Sequence, residues 1–381
     1  MKKLYAAILS LIIVAVMAVP CRAAEGSCPI DLSGASAAIL INTDTGTVIF
    51  EKNSTQPVEV AGLKRLPALL AICSAFDNGL INMDTDVLVS PEAAAIRGAT
   101  AFLSPNEHIK AGELLKAAVI LAPGDAIYSL LHTVYPGEAS ALEAVNGLLS
   151  ELGASSVSES MGTEAELSLE ALSKVCVRLS SSEAFLKYSS VYLDTLPHEN
   201  ASVTELTNPN RLVRHYSGCF GMATGSVGSS EYSGAFIARR GNTTFLAIVA
   251  GLNDSASRFK LGSDMLDYGF AAYRLVEIGK EGESAGSVPV NGGTIGSVEA
   301  VTKGNVTALM PVNDAKVISN AELPESMDAP IEEGAVLGSL KLTDSSGKLI
   351  GEVPLVAVQS VESTSFWDCF IKVLLQWLKA V

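Results

Sequence analysis

The first part of the chain changes from alternating hydrophobic and polar positions to a helical pattern. Ala37–Asn42 and Thr47–Phe50 are strand-like runs separated by Asp44-Thr45-Gly46, a sequence that favours a tight turn. Apolar residues then recur at helical spacing over Ala61–Phe76. This part of the pattern predicts a β-hairpin followed by a helix.

The middle of the chain is predicted to be mostly helical. Two strand-like runs, Gly234–Arg240 and Thr243–Leu252, follow it, and a last helical pattern covers Ser257–Leu275. The order of sheet, helices, sheet and helix predicts an α/β domain over residues 30–276, with an antiparallel sheet and helices. The helical segments between its strands are Glu113–Leu121, Ala126–Val134, Ala139–Leu152 and Leu167–Leu179.

A change of composition marks the end of this domain. Residues 277–290 are rich in glycine and predict a linker, and the short Val-rich runs beyond them, such as Gly304–Met310 and Leu349–Val358, predict a small all-β domain over residues 291–360. The chain is thus expected to carry an α/β domain and a second, smaller β-domain.

The two ends of the chain have patterns of their own. Lys2 and Lys3 precede the apolar run Leu4–Val19 and a small-residue site at Cys21–Ala24, which predicts a secretory signal peptide over residues 1–24. Residues 363–381 place Trp367, Phe370, Leu374 and similar residues on one helical face, which predicts an amphipathic helix lying on a membrane surface. A helix docked on the β-domain is the alternative.

Composition and charge exclude several classes of protein. The 381 residues are 48% hydrophobic and 18% charged, which is typical of folded globular domains. The formal net charge of −15 argues against nucleic-acid binding, which depends on Lys and Arg that neutralise phosphates. The six cysteines form no C-x-x-C pair and the four histidines lack metal-ligand spacing, so no metal and no cofactor are expected.

Six short stretches, read together and in order, resemble the D-alanyl-D-alanine carboxypeptidases, the low-molecular-mass penicillin-binding proteins. The resemblance implies a catalytic domain of the serine β-lactamase and D,D-peptidase type, followed by the β-domain and the terminal helix. It also implies a peptidoglycan stem peptide as the substrate. The stretches are Phe50–Asn53, Leu103–Glu107, Asn208–Leu212, Thr224-Gly225, Asp267–Phe270 and Ala329–Gly334.

The chemistry of that family rests on three motifs. A Ser-x-x-Lys supplies a nucleophilic serine and the lysine that takes its proton, a Ser-x-Asn faces it on a loop, and a Lys-Thr-Gly lies on an edge strand. Backbone amides of the serine and of the edge strand hold the oxyanion that forms when the serine attacks the D-Ala-D-Ala carbonyl.

In this chain most of the motif side chains are truncated. Lys64 matches the motif lysine, but Ala61 stands at the nucleophile position. Ala122 and Gly124 replace the second serine and the asparagine, and Ala223 replaces the edge-strand lysine. The matching positions, which the resemblance implies as binding residues, are Asp125, Thr224, Gly225 and, at the end of the domain, Arg258.

Other matches to catalytic motifs are short. Ser257-Arg258-Phe259-Lys260 and Ser345-Ser346-Gly347-Lys348 satisfy Ser-x-x-Lys, and Ser104-Pro105-Asn106 satisfies Ser-x-Asn, but each lies at the wrong place in the predicted fold. Gly282–Gly286 spells G-x-S-x-G, but the predicted linker and strand around it do not make a strand–turn–helix elbow.

Two functions are therefore expected to compete. The first is an exported pseudoenzyme that is attached to the outer face of the cytoplasmic membrane or the cell wall and binds a stem peptide or a wall protein. The second is an active serine-type D-Ala-D-Ala carboxypeptidase that trims terminal D-alanine. Loss of a catalytic nucleophile lowers turnover about a millionfold in a serine protease, which favours the first function.

Overall fold

The structure is a computed structural model that describes residues 29–162, 167–313, 316–345, 347 and 349–364. The predicted signal peptide lies outside these ranges, and so does the predicted C-terminal helix from residue 365 onward. Within the described ranges, no helix combines the length and the apolar character needed to cross a membrane.

Residues 29–272 form a mixed α/β domain. Its elements in chain order are β1 (Ala37–Asn42), β2 (Val48–Lys52), a 3₁₀ helix (Ala61–Arg65), α1 (Leu66–Asp77), β3 (Asp86–Leu88), α2 (Pro91–Ala94), β4 (His108–Lys110), α3 (Ala111–Ile120), α4 (Gly124–Val134), α5 (Glu138–Glu151), α6 (Leu169–Leu179), α7 (Glu183–Ser189), β5 (Leu193–Pro197), β6 (Val203–Thr207), α8 (Leu212–His215), β7 (Cys219–Val227), β8 (Glu231–Arg240), β9 (Thr243–Leu252) and α9 (Ser255–Ala272).

An antiparallel sheet with the order β2-β1-β9-β8-β7 forms the centre of this domain. Strand β1 is buried on both faces, so its successive residues belong to different cores. Ile39 packs with the helical part of the domain, whereas Leu40 packs with α9 through Met265 and Leu266. Each fully buried aliphatic side chain of this kind contributes about 1.5–3 kcal/mol through burial.

Helix α1 is the central helix of the domain and positions the predicted nucleophile site. It packs against α4, α5, α6 and α7, and every residue from Leu66 to Cys73 is buried. Pro67 lies in the first turn, where its missing N–H costs no intrahelical hydrogen bond. The 3₁₀ helix that leads into α1 contacts β7, so the start of this buried helix lies against the edge of the sheet.

The remaining described residues form an all-β region. Strands β10 and β13 pair with each other, and a second sheet has the order β14-β16-β17-β12-β11-β15. Val288, Val298 and Leu355 lie in the core of that sheet. The strands are β10 (Tyr273–Gly279), β11 (Ser284–Asn291), β12 (Ser297–Thr302), β13 (Val306–Pro311), β14 (Ile318–Glu322), β15 (Met327–Asp328), β16 (Val336–Thr343) and β17 (Leu349–Ala357).

The structure differs from the sequence prediction at the start of this region. Residues 277–290, predicted as a linker, contain the end of β10 and most of β11, which pair with β13 and β12. Gly282 lies in the turn between β10 and β11 with φ 79°, a conformation that favours glycine. At least this glycine is therefore explained by a tight turn and not by a linker. The last predicted helix is also shorter than expected, since α9 ends at Ala272 and β10 begins at the next residue.

Candidate functional site

The first and third motif segments meet at two glycines. A Cβ on Gly225 would lie 2.2 Å from the backbone nitrogen of Gly62, and a Cβ on Gly62 would lie 3.3 Å from the carbonyl oxygen of Thr224. Only glycine therefore allows β7 to approach the 3₁₀ helix this closely. The same Cβ on Gly225 would lie 3.2 Å from the methyl carbon of Ala61, so Gly225 borders the predicted nucleophile position.

Two of the truncated positions have unusual backbone conformations. Ala61 has φ 52° and Ala122 has φ 51°, both in the left-handed region, which costs a non-glycine residue about 1–2 kcal/mol. The sequence prediction assigns the two motif serines of the family to these two positions. Strained backbone of this kind persists where the surrounding structure imposes it and is common at functional sites.

A carboxylate occupies the space beside Ala61. The backbone N–H of Ala61 donates to Oε1 of Glu59 over 2.6 Å, and Nζ of Lys64 lies 3.2 Å from Oε2 of the same side chain. The side chain of Lys64 is 16% exposed, so this ion pair is largely shielded from solvent. Glu59 thus binds two groups that the family uses for catalysis, the amide at the nucleophile position and the motif lysine.

The second motif is occupied by side chains from elsewhere. A Cβ on Gly124 would lie 2.6 Å from Cγ2 of Ile96 and 3.2 Å from Nη2 of Arg65. Nη1 of Arg65 donates to the carbonyl oxygen of Ala122 over 3.0 Å. Burial lowers the pKa of the Arg65 guanidinium, and the negative charge of Asp125 partly offsets this shift. Arg65 and Ile96 therefore fill the room that a side chain at Gly124 would need.

Asp125 binds backbone rather than facing an open cleft. Its carboxylate is buried and accepts hydrogen bonds from the N–H groups of Ala101, Leu103 and Ala126, at distances of 2.9–3.2 Å. Helix α4 begins one residue earlier, at Gly124. Asp125 therefore ties the loop around Phe102 to the start of α4.

Arg258 lies behind the third motif. Its Nη1 donates to the carbonyl oxygens of Gly225 and Ser233, at 2.9 and 3.2 Å, and its Nη2 donates to Oγ of Ser255. The side chain also packs over Phe259 and is buried, and this burial lowers the pKa of Arg258 to about 10. The guanidinium remains charged at neutral pH and holds the edge strand against α9.

Ala223 lies on β7 opposite Ala235 and is buried. Its methyl group belongs to the main apolar core of the domain, so no charge is present at the position of the family's edge-strand lysine.

The other short motif matches lie in structural positions. Ser257 is in the first turn of α9, where its N–H and Oγ bind the N-cap carboxylate of Asp254, and Lys260 pairs with Asp264. Ser284 begins β11 after a turn, and a strand rather than a helix follows it. Residues 346 and 348 of the last Ser-x-x-Lys match lie outside the described residues.

The described cysteines are buried, and the described residues form no metal-binding cluster. Cys73, Cys176 and Cys219 are free and buried, as predicted for small apolar residues, whereas Cys21, Cys28 and Cys369 lie outside the described residues. Among the described residues, His, Cys, Asp and Glu side chains form no cluster of three that could hold a metal ion.

Sequence reasoning did not identify Glu59 or Arg65. Both flank the first motif, Glu59 two residues before Ala61 and Arg65 directly after Lys64. The sequence pattern could have identified Arg65, because it is a charged residue directly before the apolar run Leu66–Cys73. A cation at that point needs an oxygen partner, which the structure identifies as the carbonyl of Ala122.

Comparison of the sequence with protein families gives two matches. Residues 26–254 match the family described as D-alanyl-D-alanine carboxypeptidase, and residues 273–363 match the family described as penicillin-binding protein 5, C-terminal domain. The first match alone covers more than half of the chain.

Individual proteins extend the similarity over nearly the whole chain. The D-alanyl-D-alanine carboxypeptidase DacF of Bacillus subtilis is 28% identical over 354 residues, which cover 91% of this chain and 90% of DacF. The D-alanyl-D-alanine carboxypeptidase DacC of Escherichia coli is 23% identical over 373 residues, covering 90% of this chain and 89% of DacC.

Solved structures share the fold. Penicillin-binding protein 5 from Haemophilus influenzae superimposes with a TM-score of 0.79 at 19% identity, covering 89% of this chain and all of that protein. A peptidoglycan synthesis regulatory factor (PBP3) from Streptococcus pneumoniae superimposes with a TM-score of 0.69 at 20% identity, covering 86% of this chain and 99% of that protein.

Proposed function

This chain belongs to the family of D-alanyl-D-alanine carboxypeptidases, and from that premise we propose that it is a non-catalytic member acting in peptidoglycan metabolism. It keeps the fold and the cleft of the family but binds a stem peptide or a cell-wall protein there without cleaving it. Its relatives act on the cell wall outside the cytoplasm, and we propose the same location for this chain.

The observation that carries this proposal is the methyl group of Ala61. An acyl-enzyme needs an oxygen nucleophile at the start of the buried helix, and alanine has none. Ala61 and Ala122 both have left-handed backbone conformations, and neither side chain carries an oxygen.

The surroundings of Ala61 support the same proposal. The Glu59 carboxylate accepts the hydrogen bond of the Ala61 N–H, which in the family would hold an oxyanion. A negative carboxylate there would repel the developing negative charge of a tetrahedral intermediate. Lys64, the motif lysine, is paired with the same carboxylate, with 3.2 Å between its Nζ and Oε2 of Glu59, so this carboxylate binds both groups at once.

Export and membrane attachment are part of the proposal and rest on the sequence. The apolar segment before residue 24 is typical of a secretory signal, and the amphipathic pattern over residues 363–381 favours a helix in the membrane interface. The chain would then lie at the outer face of the cytoplasmic membrane, beside its peptidoglycan ligand.

The test is covalent labelling with a fluorescent penicillin. The purified mature chain, with DacF as an active control, is incubated with the probe and separated by denaturing electrophoresis, and release of D-alanine from a D-Ala-D-Ala peptide is measured in parallel. We expect labelling and D-alanine release with DacF and neither with this chain. Covalent labelling of the unmodified chain would show that it is an active serine-type carboxypeptidase instead.

A further inference from the structure

Arg65 is the cation that the structure presents at the second motif. A guanidinium carries five N–H donors, and the one hydrogen bond described for Arg65 uses Nη1, which donates to the carbonyl oxygen of Ala122. No nitrogen of the Arg65 side chain is among the described atoms that are buried without a hydrogen-bond partner. Its Nε and Nη2 donors make no hydrogen bond within the described residues, and Nη2 lies 3.2 Å from the position that a Cβ on Gly124 would take.

Arg258 lies in a different environment. Both of its terminal nitrogens donate to oxygens of the fold, namely Gly225, Ser233 and Ser255, and its Nε is buried without a partner. The side chain is only 6% exposed. An incoming ligand would have to open the contact between β7 and α9 to reach this guanidinium, so Arg258 is poorly placed to make the first contact with an anion.

Local charge favours an anion at Arg65. The whole chain carries a formal net charge of −15, which repels anions in general, so an anion binds only where a local cation such as Arg65 attracts it. No carboxylate of the described residues lies within ion-pair distance of Arg65, and the oxygens of nearby Asp125 accept hydrogen bonds from Ala101, Leu103 and Ala126 instead. The planar fork of Arg65 is thus available for bidentate binding of a carboxylate.

We propose that Arg65 is the residue that binds the ligand's carboxylate in this cleft, and that the ligand is a peptide with a free C-terminal carboxylate. This inference rests on the proposed function: the ligand class follows from the family, and the new assignment is Arg65 as the residue that binds the carboxylate. The carboxylate contact would then lie beside Ala122 and Gly124, and not on the edge strand, where Ala223 has no charge.

The experiment compares two probes on the full mature chain. The first is diacetyl-L-Lys-D-Ala-D-Ala with its free carboxylate, and the second is the same peptide with a C-terminal amide. Dissociation constants are measured by isothermal titration calorimetry for the unsubstituted chain, Arg65→Gln, Arg65→Lys and the control Arg97→Gln. Arg97 is an exposed arginine on the neighbouring loop.

A charge-assisted bidentate contact is worth about 1.5–3 kcal/mol, which corresponds to roughly 10- to 100-fold in affinity. We expect the unsubstituted chain to bind the acid at least about tenfold more tightly than the amide. Arg65→Gln should remove this difference, Arg65→Lys should keep part of it, and Arg97→Gln should keep all of it.

Three results would overturn the inference: the unsubstituted chain does not bind the acid peptide, it binds acid and amide equally, or Arg65→Gln keeps the full preference for the acid. Each leaves the proposed lack of catalysis standing, because that proposal fails only on covalent labelling by penicillin or on release of D-alanine. Amide binding also reports on folding, since a misfolded Arg65→Gln variant would lose both peptides.

Discussion

The carboxylate of Glu59 accepts a hydrogen bond from the backbone N–H of Ala61, with 2.6 Å between Oε1 and the nitrogen. In the active members of the family this amide would face the oxygen of a bound substrate. In this chain the group that would stabilise an oxyanion already binds an anion of the protein itself. Replacing the missing hydroxyl alone would therefore not reconstitute the site.

The first prediction concerns Ala61→Ser. We expect this variant to remain unlabelled by fluorescent penicillin, because Glu59 still binds the residue 61 amide and pairs with Lys64. Labelling over one hour, measured by gel fluorescence beside DacF, is the readout. The double variant Ala61→Ser/Glu59→Gln keeps the size of residue 59 without its charge and serves as the comparison. Stoichiometric labelling of Ala61→Ser alone would contradict the prediction.

The second prediction concerns Gly124→Asn, which restores the asparagine of the second motif. A Cβ at this position would lie 2.6 Å from Cγ2 of Ile96, so we expect the free energy of unfolding to fall by about 1–3 kcal/mol from overpacking. Urea denaturation followed by circular dichroism measures it. Gly147→Asn, on helix α5 with no heavy atom within 4 Å of the new Cβ, is the control and should change stability little.

Relief of the same clash gives a sharper version of this test. Ile96→Ala should cost some stability by itself, but Gly124→Asn should cost less in its presence than in the unsubstituted chain. A double-mutant cycle measures that coupling, which is typically about 0.5–3 kcal/mol for residues in direct contact. Additive effects of the two substitutions would show that Ile96 does not oppose a side chain at residue 124.

The third prediction concerns Asp125→Ala. The substitution leaves the N–H groups of Ala101 and Leu103 without their acceptor, so we expect a loss of about 2–4 kcal/mol in the free energy of unfolding. Hydrogen exchange should accelerate at those two amides more than elsewhere in the domain. Asp84→Ala changes an exposed aspartate on the surface and should have little effect. Unchanged exchange at Ala101 and Leu103 would rule out the structural role of Asp125.

The fourth prediction concerns alkaline pH. Burial raises the pKa of the Cys219 thiol from 9.0 to about 11, and it raises the pKa of Cys73 and Cys176 as well. Above pH 9 the unfolded chain loses thiol protons that the folded chain keeps, so the free energy of unfolding falls as the pH rises from 9 to about 11. Cys219 alone accounts for about 2–3 kcal/mol of this fall.

Urea denaturation at a series of pH values, with a reductant present, measures the effect. Cys219→Ala should show a shallower decline between pH 9 and 11 than the unsubstituted chain, because one of the buried thiols is absent. Equal slopes for the two proteins would mean that the Cys219 thiol ionises as readily in the folded chain as in the unfolded one.

Much of the fold could be predicted from hydrophobic periodicity. The segment Thr243–Leu252 coincides with β9, and Ala126–Val134 differs from α4 only at its first two residues. These elements are buried and regular, so the pattern of their side chains reflects their environment directly. The glycine-rich residues 277–290 were harder, because glycine at a turn between strands and glycine in a flexible linker look alike in the sequence.

Part of the candidate site could also be predicted from the sequence, and part could not. The truncated positions could be recognised because three motifs occur in a known order, and the contact between Gly62 and Gly225 brings two of them together. The roles of Glu59 and Arg65 depend on where their long side chains turn after the backbone is placed, which spacing along the chain does not determine. Arg65 in particular contacts Ala122 and Gly124, nearly 60 positions away, through tertiary packing alone.

The packing of Ile96 and Arg65 against Gly124 limits which substitutions at residue 124 are tolerated in evolution. A single change from Gly124 to asparagine meets Ile96 and Arg65 at once, so it loses stability unless those neighbours change as well. Substitutions at residue 124 therefore depend on which side chains are present at residues 65 and 96. Relatives of this chain should therefore differ at position 96 or 65 in step with position 124.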